Sequence, residues 1–208
     1  MNKSTLIIAG VVVLILVIIF IFYMTMGNTP QQPYKEVRKV GDIEIRYYPK
    51  AWMATVKSEE ITYKKSSNNN FQKLAAYIFG SNQGKKEIAM TAPVRMDFEE
   101  TQSEMSFVMP EGYTIKNLPA PLSNEIQLHE SEAEYVAVLR FGGYASDDKI
   151  EEKKKQLFAE LESMGIQHNN KIHYLGYNAP WDIVFRRNEV VAAISREDAL
   201  KENNERFN

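Results

Sequence analysis

The sequence contains no cysteine, only three histidines and no excess of basic residues. Without cysteine there is neither a disulfide framework nor a thiolate site for a metal or a nucleophile. The formal net charge of −2 comes from interspersed charges of both signs, unlike the basic stripe of nucleic-acid-binding proteins. No Gly-x-Ser-x-Gly elbow or phosphate-binding glycine loop is present. We therefore expect a binding protein rather than an enzyme, and no nucleic-acid partner.

The beginning of the chain lacks charge. Residues 4–34 carry no charged side chain, and residues 6–24 are almost wholly apolar, which matches the roughly 20 residues that cross a hydrocarbon core. A cleaved signal peptide is the alternative, but its apolar run is usually only ~7–15 residues long and ends at a small-residue cleavage site. We expect a short tail at residues 1–4 and an uncleaved transmembrane anchor at residues 5–26. Because Lys3 lies closest to this run, the positive-inside rule predicts a single-pass protein with its soluble domain outside the cytoplasm.

The rest of the chain alternates strand-like and helix-like patterns. We predict a linker and lead-in at residues 27–40, one folded domain at residues 41–196, and a polar C-terminal tail at residues 197–208. Apolar and polar residues alternate on both sides of Pro49, which predicts a β-hairpin with the proline at its turn. A second hairpin is predicted over residues 126–141.

Each predicted hairpin is followed by a helix and two strands. Helical spacing predicts the two helices at about residues 70–79 and 148–164. The order repeats after about 83 residues, which aligns Ile43 with Ile126. The predicted fold is therefore α+β: duplicated ββαββ halves form a distorted antiparallel β-barrel with two helices, preceded by the transmembrane helix. Such a duplicated sheet leaves a cleft between its halves or beneath its helices, where ligands usually bind.

The strand predicted at residues 88–98 contains Pro93 near its middle. Proline has no N–H for the hydrogen bonds of a sheet, so a central strand does not normally contain it. We interpret Pro93 as a bulge or kink that shapes one wall of a groove beside the first helix.

Four short motifs carry a family resemblance. They are MTAPV at residues 90–94, FGGYA at 141–145, GYNAP at 176–180 and RRNEV at 186–190. In this order and spacing they resemble the SOUL family of haem-binding proteins, over about residues 34–194. The resemblance implies the duplicated barrel and a haem or related tetrapyrrole bound in an apolar groove flanking the first helix. It also implies a relation in fold to small-molecule-binding regulator domains.

The resemblance also implies which side chains line this groove. From the helix and the strand after it, these are Phe71, Leu74, Ala75, Ile78, Met90 and Pro93. Spacing alone fits ordinary core packing for the same side chains. Lys85 and Lys86 are predicted to meet ligand carboxylates at the rim, with a solvated loop as the alternative. Haem iron is held by His, Met, Cys or Tyr, and His173 on a predicted strand is the candidate axial ligand.

The predicted function is a membrane-anchored haem- or tetrapyrrole-binding protein that sequesters, buffers or transfers its ligand. Haem is the expected cofactor, the membrane is contacted through residues 5–26, and no protein partner is indicated. Two alternatives stay open: an enzyme acting on a small apolar molecule in the same cleft, and a non-catalytic interaction module with a vestigial cleft. A well-filled interior between helix and sheet would favour the last, whereas an open apolar groove would favour the others.

Overall fold

The computed structural model describes residues 2, 8–17, 29–179, 182 and 186–201. Residues 8–17 are helical, and the rest of the predicted anchor lies outside the described residues. Among all the residues that the structure describes, no helix is long and apolar enough to cross a membrane.

From residue 29 onward, the described chain forms nine strands and three helices. The strands are β1 (Lys35–Val40), β2 (Ile43–Tyr48), β3 (Trp52–Ser58), β4 (Val94–Phe98), β5 (Ser103–Val108), β6 (Ile126–Glu130), β7 (Glu134–Phe141), β8 (His173–Gly176) and β9 (Asn188–Ile194). The helices are α1 (Tyr63–Ile78), α2 (Asp147–Ser163) and α3 (Arg196–Leu200). Strand β1 lies within the segment predicted as a lead-in, and α3 begins at the end of the predicted domain.

The strands form one antiparallel sheet in the order β1-β2-β7-β9-β8-β4-β5-β3-β6. The α+β class and the large antiparallel sheet are therefore confirmed. The predicted barrel is wrong, because within the described chain β1 pairs only with β2 and β6 only with β3, which leaves two free edges. The exposed lysine and glutamate side chains at the start of β1 give a physical reason, since charge on an edge strand opposes further pairing.

The two ββαββ halves occur in the predicted order, but the predicted hairpins are wrong. Strand β2 pairs with β1 and β7, whereas β3 pairs with β5 and β6. The first strand of each half thus pairs with a strand of the other half: β2 pairs with β7, and β6 pairs with β3. Strands β4 and β8 pair in the middle of the sheet and join the two halves. Alternating hydrophobicity shows which face a residue occupies but not which strand lies beside it, so this exchange was not visible in the sequence.

Helix α1 begins earlier than the apolar spacing predicted. The polar residues 64–69, which precede the predicted helix, are helical as well. The N-cap Thr62 makes no side-chain cap, but Asp147 Oδ1 accepts from the Tyr63 N–H at 2.6 Å and Oδ2 accepts from the Lys64 N–H at 3.3 Å. A carboxylate from the second half therefore caps the first helix. Its negative charge also interacts favourably with the positive N-terminal end of the helix dipole.

The strand after α1 is shorter than predicted. Strand β4 starts at Val94, directly after Pro93, so the proline precedes the strand and does not interrupt it. The Ala92–Pro93 peptide bond is cis. Residues 88–93 return from the helix, with the Ile88 N–H bonded to the Ile78 carbonyl at 2.8 Å. The predicted bulge inside the strand is therefore wrong, and the missing N–H of proline marks where pairing begins.

The two faces of the sheet are covered differently. Helix α1 packs on β3 and β5, and α2 packs on β7 and β9, around the main apolar core. The opposite face is also buried, but its apolar cluster consists of strand residues with Tyr177 packed against them. Arg95 of β4 donates to Glu134 of β7 at 2.8 Å across the two intervening strands β8 and β9. The sheet therefore curls around this second face, which we call the concave face.

Candidate functional site

One residue from each of the four motifs lies in a single row across the sheet. Val94 of β4 is opposite Gly176 of β8, Gly176 is opposite Asn188 of β9, and Asn188 is opposite Phe141 of β7. Residues opposite each other on neighbouring strands point to the same face. Phe141 and Val94 pack in the main core, so this motif row lies on the helix side.

The first half of α1 lies above the motif row. On β5, Phe107 is opposite Val94, and its ring contacts Phe71 of α1 edge to face, with 5.3 Å between centroids. On β8, the Tyr174 ring contacts Tyr63 of α1 in the same manner at 5.2 Å. The helix therefore crosses the sheet from β8 to β5. We call the interface between residues 63–71 of α1 and the motif row the α1 site.

Gly176 leaves room for an aromatic side chain in this site. A Cβ atom at Gly176 would lie 3.2 Å from Tyr174 Oη, which is tighter than ordinary contact. Tyr174 Oη donates to Asn188 Oδ1 at 2.7 Å, and Asn188 Nδ2 donates to the Gly143 carbonyl at 2.8 Å. Burial, followed by the nearby Tyr63 hydroxyl, raises the pKa of Tyr174. Its phenol therefore stays protonated and holds the motif row in place.

A cation lies at the border of the α1 site. Arg186 Nη1 donates to the carbonyls of Ala179 at 2.9 Å and Asp182 at 2.6 Å. The guanidinium lies 4.4 Å from the ring centroid of Tyr144, whose side chain is exposed. Its buried Nε atom has no hydrogen-bond partner among the described residues. The third and fourth motifs are thus joined through Arg186, which keeps one donor unused.

The helical residues predicted for the groove divide into two groups. Phe71 and Ala75 are half-buried, and Phe71 reaches the motif row through Phe107. Leu74 and Ile78 are 0% and 1% exposed and belong to the main core. The structure therefore places Phe71 at the α1 site, whereas Leu74 and Ile78 fill the core beneath the second half of α1.

The residues predicted after the helix lie at different depths. Met90 is half-buried against the main core, and Pro93 is buried directly before the motif-row residue Val94. Lys85 and Lys86 are exposed in the loop after α1. Asn82 fixes this loop, because its side chain bonds both the N–H and the carbonyl of Lys86, at 2.9 and 2.7 Å. The two ammonium groups are thus presented beyond the C-terminal end of α1.

His173 does not lie with the other predicted site residues. It pairs with Val191, a member of the concave-face cluster, and its Nδ1 contacts a carboxylate oxygen of Asp97. Arg95 Nη2 lies 2.8 Å from its Nε2. Its neighbour Tyr174 faces α1, so period-two geometry directs His173 to the other face. One ligand in the α1 site cannot also reach His173 through the sheet.

The remaining histidines also lie elsewhere. His129 Nε2 is 2.9 Å from Thr55 Oγ1, and His168 stacks on Phe158 of α2 with centroids 4.1 Å apart. Among the described residues, no group of three or more His, Asp or Glu side chains could hold a metal ion.

Sequence reasoning missed a buried ionic network on the concave face. Arg46 is 1% exposed and donates to both carboxylate oxygens of Glu189, at 2.8 and 3.0 Å. Arg46 also donates to Glu44, and Tyr177 Oη donates to Glu189 at 2.8 Å. Arg187 completes the network by donating to Glu189 at 2.9 Å. In the sequence, Arg46 and Glu189 are visible only as charged residues within two strand patterns, and such patterns do not show that the two side chains pair.

A cleft of about 860 Å³ lies between the start of α2 and the β4–β5 turn. Its walls include Phe98, Glu99, Asp148 and Asn170. None of the predicted site residues lines it. The cleft is therefore distinct from the motif row, although Asp147, which caps α1, is also in its wall.

Comparison with known proteins identifies the same family as the four motifs. Residues 29–193 match the sequence model of the family described as SOUL heme-binding protein. Heme-binding protein 2 of Homo sapiens is 31% identical over 172 residues, covering 78% of this chain and 82% of the relative. Heme-binding protein 1 of Sus scrofa is 26% identical over 175 residues, covering 79% and 92%.

A solved structure extends the comparison to the fold. A hydrolase from Listeria innocua superposes with a TM-score of 0.54 at 9% identity, covering 76% of this chain and 94% of that chain. At this identity the likeness concerns the fold alone. The family match spans most of the chain and contains all four elements of the motif row. The chain therefore belongs to the SOUL heme-binding protein family.

Proposed function

We propose that this chain binds one tetrapyrrole of the haem class at the α1 site, and that it sequesters, buffers or transfers this ligand. The observation that carries the proposal is the motif row beneath the first half of α1. The names of the human and pig relatives, which describe heme binding, support binding rather than catalysis. We further propose that residues 5–26 hold the domain at a membrane, outside the cytoplasm.

The side chains of the α1 site fit a flat apolar ligand with acidic groups. Phe71, Ala75, Met90 and Val94 are half-buried apolar side chains on or beside the site. Burying ~400 Å² of apolar macrocycle at roughly 25 cal/mol/Å² would contribute a gross ~10 kcal/mol before the costs of association. The unused donor of Arg186 is available to a carboxylate. Hydrophobic burial is thus sufficient for tight binding.

Iron ligation at this site would not use histidine. The three histidines of the chain lie on the concave face or against α2. In the α1 site and at its border, Tyr63, Tyr174 and Tyr144 carry a side-chain type that can ligate haem iron. Haem would supply a redox-active iron when bound, whereas the chain's own residues bury the macrocycle and pair its carboxylates.

A hemin titration tests this proposal. We expect the full chain in detergent micelles to shift the Soret band of hemin and to saturate at one hemin per chain. An unchanged spectrum at micromolar protein would contradict haem binding.

A pair of phenylalanine variants tests the location. We expect Phe71→Ala to weaken hemin binding about tenfold, because it removes a large apolar side chain beside the ligand. Phe158→Ala on α2 is the matched control, since Phe158 is also a half-buried helical phenylalanine and contacts His168. Equal losses of hemin affinity in the two variants would exclude the α1 site as the binding place.

A further inference from the structure

Asn70 is a buried polar residue without a partner. Its side chain is 0% exposed, and neither Oδ1 nor Nδ2 has a hydrogen-bond partner among the described residues. Buried polar atoms are nearly always paired, because an unpaired amide loses its hydrogen bonds to water and gains nothing in return. A residue that destabilises the fold in this way calls for a functional explanation.

Asn70 lies in the part of α1 that covers the motif row. The buried face of α1 is polar in its first half, at Ser66 and Asn70, and apolar in its second half. Seven residues, or about two helical turns, separate Asn70 from Tyr63, and Phe71 follows it directly. The amide therefore lies between the two aromatic contacts that α1 makes with the sheet.

Other buried polar side chains of the α1 site are hydrogen-bonded within the chain. Ser66 Oγ donates to the Thr62 carbonyl at 2.7 Å. Tyr174 Oη donates to Asn188, and Asn188 donates to Gly143. Among the described residues, the unpaired amide of Asn70 and the unused Nε donor of Arg186 at the border of the site are therefore the buried polar groups that are free to recognise a ligand.

An asparagine amide presents an acceptor and two donors side by side. An ionised propionate of haem only accepts, so it would satisfy Nδ2 and leave Oδ1 unpaired. A lactam carries an N–H next to a C=O and would satisfy both amide atoms at once. We propose that Asn70 is a specificity-determining residue and that the α1 site prefers a linear tetrapyrrole with terminal lactam rings, a bilin, over haem. This inference rests on the proposed function, since it assumes a tetrapyrrole at the same site.

Biliverdin and hemin are suitable probes because both carry two propionates and a similar apolar surface, whereas only biliverdin has lactam rings. Each would be titrated into the full chain in detergent micelles. Asn70→Leu replaces the amide by an apolar group of similar size. Asn69→Leu is the matched control, because Asn69 is the exposed neighbour on the same helix.

We expect the unsubstituted chain to bind biliverdin more tightly than hemin. Asn70→Leu should weaken biliverdin binding about tenfold and hemin binding less than about threefold, as expected for loss of paired hydrogen bonds in a buried site. Asn69→Leu should change neither affinity. The same Asn70→Leu chain should unfold at a higher temperature without ligand, because the unpaired amide is gone.

Equal losses for both ligands, or no loss for biliverdin, would overturn the assignment of Asn70. If Asn70→Leu does not fold, the affinities of the unsubstituted chain for biliverdin and hemin test the proposal instead. Tighter binding of hemin than of biliverdin would overturn the proposed preference for a bilin. Binding of neither ligand would instead refute the proposed function itself. Hemin binding without any effect of Asn70→Leu on biliverdin would refute only this inference.

Discussion

The two faces of the sheet differ in how completely their polar groups are paired. On the concave face, the buried Arg46 is paired with Glu44 and Glu189, and the half-buried Arg95 with Asp97 and Glu134. On the helix side, Asn70 is buried without a partner. Among the described residues, the buried side-chain atoms that lack a hydrogen bond belong to Asn70 and Arg186, and both lie at the α1 site. Pairing within the chain therefore distinguishes groups that hold the fold from groups available to a ligand.

The largest effect is expected from breaking the pairs of the concave face. Glu189→Gln would leave Arg46, which is 1% exposed, and Arg187 without their shared carboxylate. Removing one partner of a buried ion pair costs about 3–5 kcal/mol. Urea unfolding of the full chain should show a loss of this size.

Lys39→Met is the matched control for this substitution, because it removes an exposed partner of Glu44 in the same region. We expect it to change the free energy of unfolding by less than about 0.5 kcal/mol. A Glu189→Gln chain as stable as the Lys39→Met chain would show that the network does not hold the sheet together.

A smaller, pH-dependent effect is expected at Asp97. Burial acts to raise the pKa of Asp97, but the His173 hydrogen bond and the charges of His173 and Arg95 outweigh it and hold that pKa below its usual value. A carboxylate with a lowered folded-state pKa stabilises the fold above its unfolded pKa, and this contribution is lost as pH falls through the folded pKa. Asp97→Asn should cost about 2 kcal/mol at neutral to mildly acidic pH, and the difference should shrink below about pH 4.

Urea unfolding of the two chains at about pH 6 and about pH 3 measures this difference. A cost of Asp97→Asn that is the same at both values would mean that the charge of Asp97 is not what stabilises the concave face.

The smallest effect, and one of opposite sign, is expected on the helix side. Asn70→Leu should stabilise the ligand-free chain by about 1 kcal/mol, because it removes an unpaired buried amide. Thermal unfolding without ligand measures this change against Asn69→Leu. A destabilised Asn70→Leu chain would show that Asn70 holds the fold as the concave-face residues do, and the contrast between the faces would disappear.

The order of the elements and the family could be predicted from the sequence, because they depend on hydrophobic periodicity and on short motifs. The duplicated ββαββ order followed from alternating and helical patterns, and the four motifs indicated the family and one site. Strand exchange between the halves was not predictable, because alternation carries no information on neighbours. The early start of α1 was missed because its cap comes from Asp147, 84 residues after Tyr63.

The residues of the candidate site could be predicted only in part, because spacing along the chain does not show which elements pack together. Phe71 and Leu74 share one apolar stripe in the sequence, yet Phe71 borders the α1 site and Leu74 fills the core. Alternation along β8 puts His173 and Tyr174 on opposite faces, but only the position of α1 shows which of them faces the site. The burial of Asn70 could not be predicted, because it is the last of three consecutive asparagines in a polar stretch of the sequence.

The proposed function requires a tetrapyrrole to bind beneath the first half of α1. Hydrogen exchange of the full chain, measured with and without saturating hemin or biliverdin, tests it most directly. We predict slower exchange in residues 63–71 and 141–145 with ligand, and unchanged exchange in α2. Unchanged exchange in residues 63–71, or slowing confined to α2 or to the free-edge strands β1 and β6, would contradict the account.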